Sequence, residues 1–157
     1  MIKNIIFDMG NVLLKFDRNY FLDAVGVKPA DRRTLMNNVY LSLEWAKMDR
    51  GSMTEEEAAA SMCSRLPERL HEQAHLLVDR WDRPILPVPG MAELVRELKE
   101  AGYGVYLLSN ASYRQHEYWP RVPGSEYFDG TLISADVKLV KPCAEIYELL
   151  YSTFDLT

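Results

Sequence analysis

The stretch Lys3-Asn4-Ile5-Ile6-Phe7-Asp8-Met9-Gly10-Asn11-Val12-Leu13 limits what this chain can fold into more than any other. Its apolar run, Ile5-Ile6-Phe7, ends abruptly in a carboxylate, and a glycine and a polar Asn follow. Such a run suits a strand buried on both faces of a parallel sheet. In open α/β sheets, ligands bind just beyond the carboxyl ends of the strands, which is where Asp8 falls. Taken alone, an aspartate there reads as a turn residue or a helix cap. Two later segments change that reading.

Gly104-Val105-Tyr106-Leu107-Leu108-Ser109-Asn110 is a second buried-strand run, ending in a hydroxyl and an amide. Leu139-Val140-Lys141-Pro142 sets a lysine just before a proline and a helix-like stretch. Asp8, Ser109 and Lys141 are then a nucleophile, a neutral donor and a cation, in that order along alternating strands and helices. With these residues the chain resembles the haloacid dehalogenase-like hydrolase superfamily. Within it, the first motif resembles the branch reading Phe-Asp-x-Gly-Asn-Val, which includes sugar-phosphate phosphatases of the α-D-glucose-1-phosphate phosphatase type. The likeness runs over nearly all the chain, and its specificity lies in the order of the motifs.

The resemblance implies an α/β fold: a Rossmann-like parallel sheet core from residues 1–16 and 88–157, with residues 17–87 inserted as a helical-bundle cap of type 1. The residues themselves support a helical insertion. Phe21, Leu22 and Val25 recur at helical spacing before Gly26, and Pro29 opens a second helix carrying Leu35, Met36 and Val39. Leu43 to Met48 reads as a short helix or turn. Thr54 and Glu57 form a capping box for a helix through Ser64, and Leu66 to Trp81 predicts a further helix. The aromatic and Met residues of this stretch read as the core of the bundle. Trp45, Met48 and Arg50 are the candidates to face substrate. Beyond the Ile85–Pro89 linker come a helix bearing Met91, Leu94, Val95 and Leu98, a strand over 105–108, a helix over 112–118, a strand over 131–134 and a helix over 142–152.

Phosphoryl transfer from a monoester needs an in-line nucleophile and positive charge around the equatorial oxygens. The resemblance assigns the attack to Asp8, through an aspartyl-phosphate that water hydrolyses. It gives Ser109 a hydrogen bond to a phosphoryl oxygen, with the Asn110 backbone or side chain helping. Lys141 offsets charge between carboxylate and phosphoryl group. Mg2+ is implied as cofactor, held by Asp8 and the carbonyl of Gly10. The implied activity is phosphoric-monoester hydrolysis of a small phosphorylated metabolite such as a sugar phosphate. Two alternatives stay open: a haloacid dehalogenase in which the same carboxylate attacks carbon, and a catalytically dead interaction module.

Two departures from the family pattern bear on this. Most phosphatases of the superfamily carry a second aspartate, a general acid and base, where this chain has Gly10; such help is worth about 10² to 10⁴ in rate. The family's fourth motif, an acidic pair at the end of a fourth strand, is absent, and Asp155 stands alone. Without that strand Ile5-Ile6-Phe7 would be an uncovered apolar edge. The expectation is a natural protein continuing past Thr157, in preference to a second chain covering the edge, with weak magnesium binding by the chain as written.

A length of 157 residues suits one domain, or a small core with an insertion, and 48% apolar with 26% charged residues are globular values. The net charge of −5, with basic residues scattered, leaves no footprint for nucleic acid. No apolar run approaches the roughly 20 residues that span a bilayer, and an N-terminus that opens directly on a strand predicts that there is no signal peptide. Cys63 and Cys143 match no metal or disulfide spacing and read as free core thiols. A cytoplasmic monomer or homodimer follows. His71 and His75 have metal-pair spacing without a third ligand, so they read as an exposed helix face, and His116 reads as a surface residue.

Overall fold

The computed structural model describes residues 2–156. In chain order its main elements are β1 (Asn4–Phe7), α1 (Arg18–Ala24), α2 (Arg32–Leu35), α3 (Leu43–Asp49), α4 (Glu55–Cys63), α5 (His71–Asp79), α6 (Met91–Glu100), β2 (Gly104–Ser109), α7 (Gln115–Tyr118), β3 (Gly130–Ile133), α8 (Ser134–Val137) and α9 (Ala144–Phe154). These fall into two compact units. One comprises residues 2–16, 49–51 and 85–156; the other comprises Asp17–Met48 and Ser52–Pro84.

The first unit is built on a parallel sheet in the order β1-β2-β3. β2 is central, and Val105 and Leu107 are wholly buried because the strand has a neighbour on each side. β1 departs from the expectation of burial on both faces: Phe7 is buried, but Ile6 is 39% exposed. Among the described residues β1 pairs on one side only, so half its width lacks cover. α9 closes one face, with Ile146 and Leu150 packed on Leu108 and Leu132. The Phe154 ring fills the space where a side chain at Gly130 would stand and lies 5.1 Å from Tyr106. The chain leaving β1 pairs with the chain returning to α6: Lys15 N–H donates to the Leu86 carbonyl at 2.8 Å and Val88 N–H to that of Leu13 at 2.9 Å.

Leu107→Ala would empty the middle of this sheet. Truncating a fully buried leucine costs about 2–5 kcal/mol, because the cavity adds to the lost transfer energy. The urea midpoint is expected to fall accordingly, whereas Leu94→Ala, at a residue 40% exposed, should shift it by less than about 1 kcal/mol.

The second unit is helical, and its core includes Leu22, Leu35, Val39, Met62, Leu77 and Val78. Its caps follow the local sequence. Asp17 accepts from the N–H groups of Asn19 and Tyr20 at the start of α1, and Thr54 and Glu57 complete the capping box of α4. Two helices differ from expectation. The stretch predicted as one helix from Leu66 to Trp81 begins with Pro67, which has no N–H, and a 3-10 turn; α5 itself covers only His71–Asp79. After Pro29 the chain takes a 3-10 turn, the short α2 and then a π-type turn at Met36–Tyr40. In the first unit, α7 covers Gln115–Tyr118 only, and β3 ends at Ile133 because Ser134 already opens α8.

Two arginine–carboxylate pairs stitch these helices. Arg69 grips Asp31 at 2.6 and 2.7 Å, and Arg65 grips Glu44 at 2.6 and 2.9 Å while Ser61 donates to Glu44 at 2.8 Å. The Arg65 hydrogen bonds hold the Glu44 carboxyl down at about 2 against the opposing push of burial, with Ser61 assisting. A carboxylate lowered on folding contributes stability that is complete above its ordinary value of 4.5 and is lost as pH falls through about 2. Urea stability is therefore expected to decline between those limits, and Glu44→Gln should flatten that part of the profile.

Candidate functional site

In the first unit Phe7 pairs with Leu107, so the residues beyond them, Asp8 on one strand and Leu108-Ser109-Asn110 on its neighbour, emerge at the same end of the sheet. Beyond Asp8 the chain folds into a tight loop. The N–H groups of Val12, Leu13 and Leu14 converge on the Met9 carbonyl, and Asn11 takes a φ of 59°, a left-handed conformation that Asn tolerates better than most residues. The Asn11 side chain then accepts from Phe16 N–H at 2.9 Å. This loop leaves Gly10 exposed, with open space where a side chain would project.

Asp8 and Lys141 meet. The Lys141 ammonium stands 2.8 Å from Asp8 Oδ1 and also donates to the Leu108 carbonyl at 2.8 Å. Oδ1 further accepts from Met9 N–H at 2.7 Å. The carboxylate is 49% exposed and the lysine side chain 19%. The site is thus a charge pair with its cation held from behind and its carboxylate open to a ligand. Ser109, the last residue of β2, is buried. Asn110 bonds the Lys141 main chain through both its side-chain polar atoms.

The candidates from the helical stretch divide between the units. Trp45 and Met48 belong to the second, where Trp45 lies 5.0 Å from the Tyr40 ring and Met48 is buried. Arg50 is exposed and belongs to the first, in the segment Asp49–Gly51. Ser134, wholly buried, receives the Ala111 N–H at 2.9 Å and donates to the Asp49 carbonyl. This tether ties the Asp49–Gly51 segment to the residue following Asn110. Neither Ser134 nor the Leu108 carbonyl was singled out from the sequence: a backbone acceptor leaves no residue signal, and a serine after a strand is an ordinary turn residue.

Among the described residues no three His, Cys, Asp or Glu side chains converge as a metal cluster. Magnesium nonetheless characteristically uses one or two carboxylates and keeps water and phosphate oxygens for its other positions. The half-exposed Asp8 carboxylate and the open Gly10 position fit that partial role. His71 instead bonds the Leu66 carbonyl at 3.1 Å, and His116 lies 3.0 Å from Asp136. Cys63 is buried as expected, but Cys143 is exposed, because it precedes α9 at the helix's N-cap position, where no packing layer covers it.

The fold has counterparts among solved structures. A haloacid dehalogenase (HAD) family enzyme of Bacteroides thetaiotaomicron, crystallised with magnesium and inorganic phosphate, superposes with a TM-score of 0.72 at 20% identity; the match covers 99% of this chain and 80% of that one. A HAD-like family hydrolase of Porphyromonas gingivalis gives 0.68 at 21% identity, covering all of this chain and 78% of that one. An L-2-haloacid dehalogenase of Xanthobacter autotrophicus, with chloropropionic acid covalently bound, gives 0.66 at 17% identity, covering all of this chain and 66% of that one. These likenesses establish a shared α/β, Rossmann-like fold. The profile described as haloacid dehalogenase-like hydrolase matches residues 2–155, and on that extent the chain belongs to the haloacid dehalogenase-like hydrolase family.

Proposed function

We propose that this family member is a phosphoric-monoester hydrolase of small phosphorylated metabolites, sugar phosphates among them, with Asp8 as nucleophile. The observation carrying this is the 2.8 Å contact between Asp8 Oδ1 and the Lys141 ammonium at the carboxyl end of a parallel sheet. With Oδ1 engaged by Lys141 and Met9 N–H, Oδ2 is the oxygen left to attack phosphorus. Its attack forms the carboxyl–phosphate bond as the ester oxygen leaves with the bonding pair and takes a proton from water. A second water then hydrolyses the acyl phosphate and restores the carboxylate. Lys141 holds positive charge beside the entering phosphoryl group, and Ser109 supplies a neutral donor.

Magnesium held by Asp8 and the Gly10 carbonyl would screen carboxylate from phosphate and orient the phosphoryl oxygens. That the Bacteroides relative was crystallised with magnesium and inorganic phosphate supports this reading. The helical unit would serve as the cap, with Trp45 as its substrate-facing candidate, whereas Met48 is buried in that unit and Arg50 is carried by the first. No described helix is long and apolar enough to cross a membrane.

A second reading is a dehalogenase, because the same contact between the Lys141 ammonium and the Asp8 carboxylate would serve attack on carbon without a metal. Hydrolysis of p-nitrophenyl phosphate in the presence of magnesium, against halide release from 2-chloropropionate without it, separates the two. Phosphate release is the expected result. Halide release alone would replace the first reading by the second.

A further inference from the structure

Asn110 directly follows β2 and is exposed, yet both polar atoms of its carboxamide are bonded. Lys141 N–H donates to its Oδ1 at 2.8 Å, and its Nδ2 donates to the Lys141 carbonyl at 3.0 Å. A backbone N–H can only donate and a backbone carbonyl can only accept, so the partner itself sets which way the amide faces. The pairing imitates one rung of a β-ladder between segments 31 residues apart. At the far end of the same lysine, Nζ donates to the Leu108 carbonyl and meets Asp8. The end of β2 therefore takes hold of Lys141 twice, residue 110 by the main chain and residue 108 by the ammonium. A lysine left to itself samples many rotamers. Fixing both its root and its tip selects the one that reaches Asp8.

We propose that Asn110 is a positioning residue: its carboxamide anchors the Lys141 main chain so that the ammonium stands against Asp8, and it is not itself a ligand of the phosphoryl group. Only asparagine meets the geometry. Aspartate lacks the donor and would set a charge against the Lys141 carbonyl, alanine lacks both groups, and glutamine is one methylene too long. The kinetic consequence rests on Asp8 being the nucleophile, whereas the placement of Lys141 can be read without any turnover.

Three readouts test it. In the native protein the Lys141 amide, though outside any helix or strand, should exchange its proton at least about tenfold more slowly than an unprotected amide, since it donates to Oδ1. Unprotected exchange would overturn the proposal even if no variant folds. In Asn110→Ala, with fold checked by circular dichroism, acylation of the Lys141 amine followed by peptide mass spectrometry should run roughly tenfold faster as two hydrogen bonds are lost. An unchanged rate would overturn it. With p-nitrophenyl phosphate, the same variant should lower kcat with KM nearly unchanged, while a raised KM at intact kcat would make Asn110 a phosphate ligand instead. A native protein without phosphatase activity would count against the proposed reaction, and exchange and acylation would still decide the role of Asn110.

Discussion

Replacing Asp8 by asparagine is expected to lower the turnover of p-nitrophenyl phosphate by at least about 10³-fold while leaving the fold nearly as stable. The substitution keeps the side chain's shape and an oxygen able to accept from Met9 N–H, the 2.7 Å bond that orients the native carboxylate. What disappears is the anionic oxygen proposed to attack phosphorus. The stability cost is small by the same geometry. The carboxylate is 49% exposed, so its ion pair with Lys141 is well solvated, and such pairs contribute about 0–1 kcal/mol. The ammonium also keeps its bond to the Leu108 carbonyl. Nitrophenolate release and a urea titration on the same samples check both halves. Turnover within tenfold of the native rate would remove Asp8 from the reaction.

The second large effect concerns Gly51→Ala, a change that adds no charge and acts through the backbone. Gly51 has a φ of +71°, and a Cβ there would fall on the carbonyl of Ala135, part of the backbone of α8. Two penalties combine: about 1–2 kcal/mol for a left-handed residue with a Cβ, and about 1–3 kcal/mol for forcing an atom into a filled space. A backbone carbonyl cannot swing aside as a side-chain tip can, so the second penalty has no easy relief. The melting temperature should fall by roughly 5–15 °C, given about 2–4 °C per kcal/mol for a chain of this size. Gly26→Ala isolates the cause, since Gly26 has a similar φ of +70° but nothing within 4 Å of the added carbon. It should show only the smaller, conformational loss. Equal losses at the two positions would mean that the Ala135 contact contributes nothing. Because Ser134 holds the Asp49–Gly51 segment and Gly51 packs close to Ala135, the substitution also strains the segment that carries Arg50.

Much of this was legible in the residues because it is local. A run such as Gly104 to Ser109 reads as a buried strand since nearly all its side chains are apolar, and the structure makes it the central strand. Thr54 and Glu57, three residues apart, can satisfy each other wherever the helix lies, so their capping box was visible without the fold. The same reasoning failed where the answer depended on neighbours. Ile5 and Ile6 read as doubly buried, yet burial of a strand is decided by what lies beside it, and Ile6 is partly exposed. Pro67 interrupts a pattern whose hydrophobic spacing alone suggests one continuous helix.

The order of a carboxylate, a hydroxyl and a lysine along alternating strands and helices belongs to the sequence itself, because strand-forming runs and the residues that end them are set by side chains a few positions apart. That order was enough to point to the family. The tertiary structure alone decided that Lys141 reaches Asp8, that Leu108 and Asn110 hold it from two sides, and that the Asp49–Gly51 segment is tied to Ser134 and lies close against Ala135. Each of these joins groups 31 or more residues apart, largely through backbone atoms that every residue shares. Such contacts carry no residue signature and exist only once the sheet has brought its strand ends together.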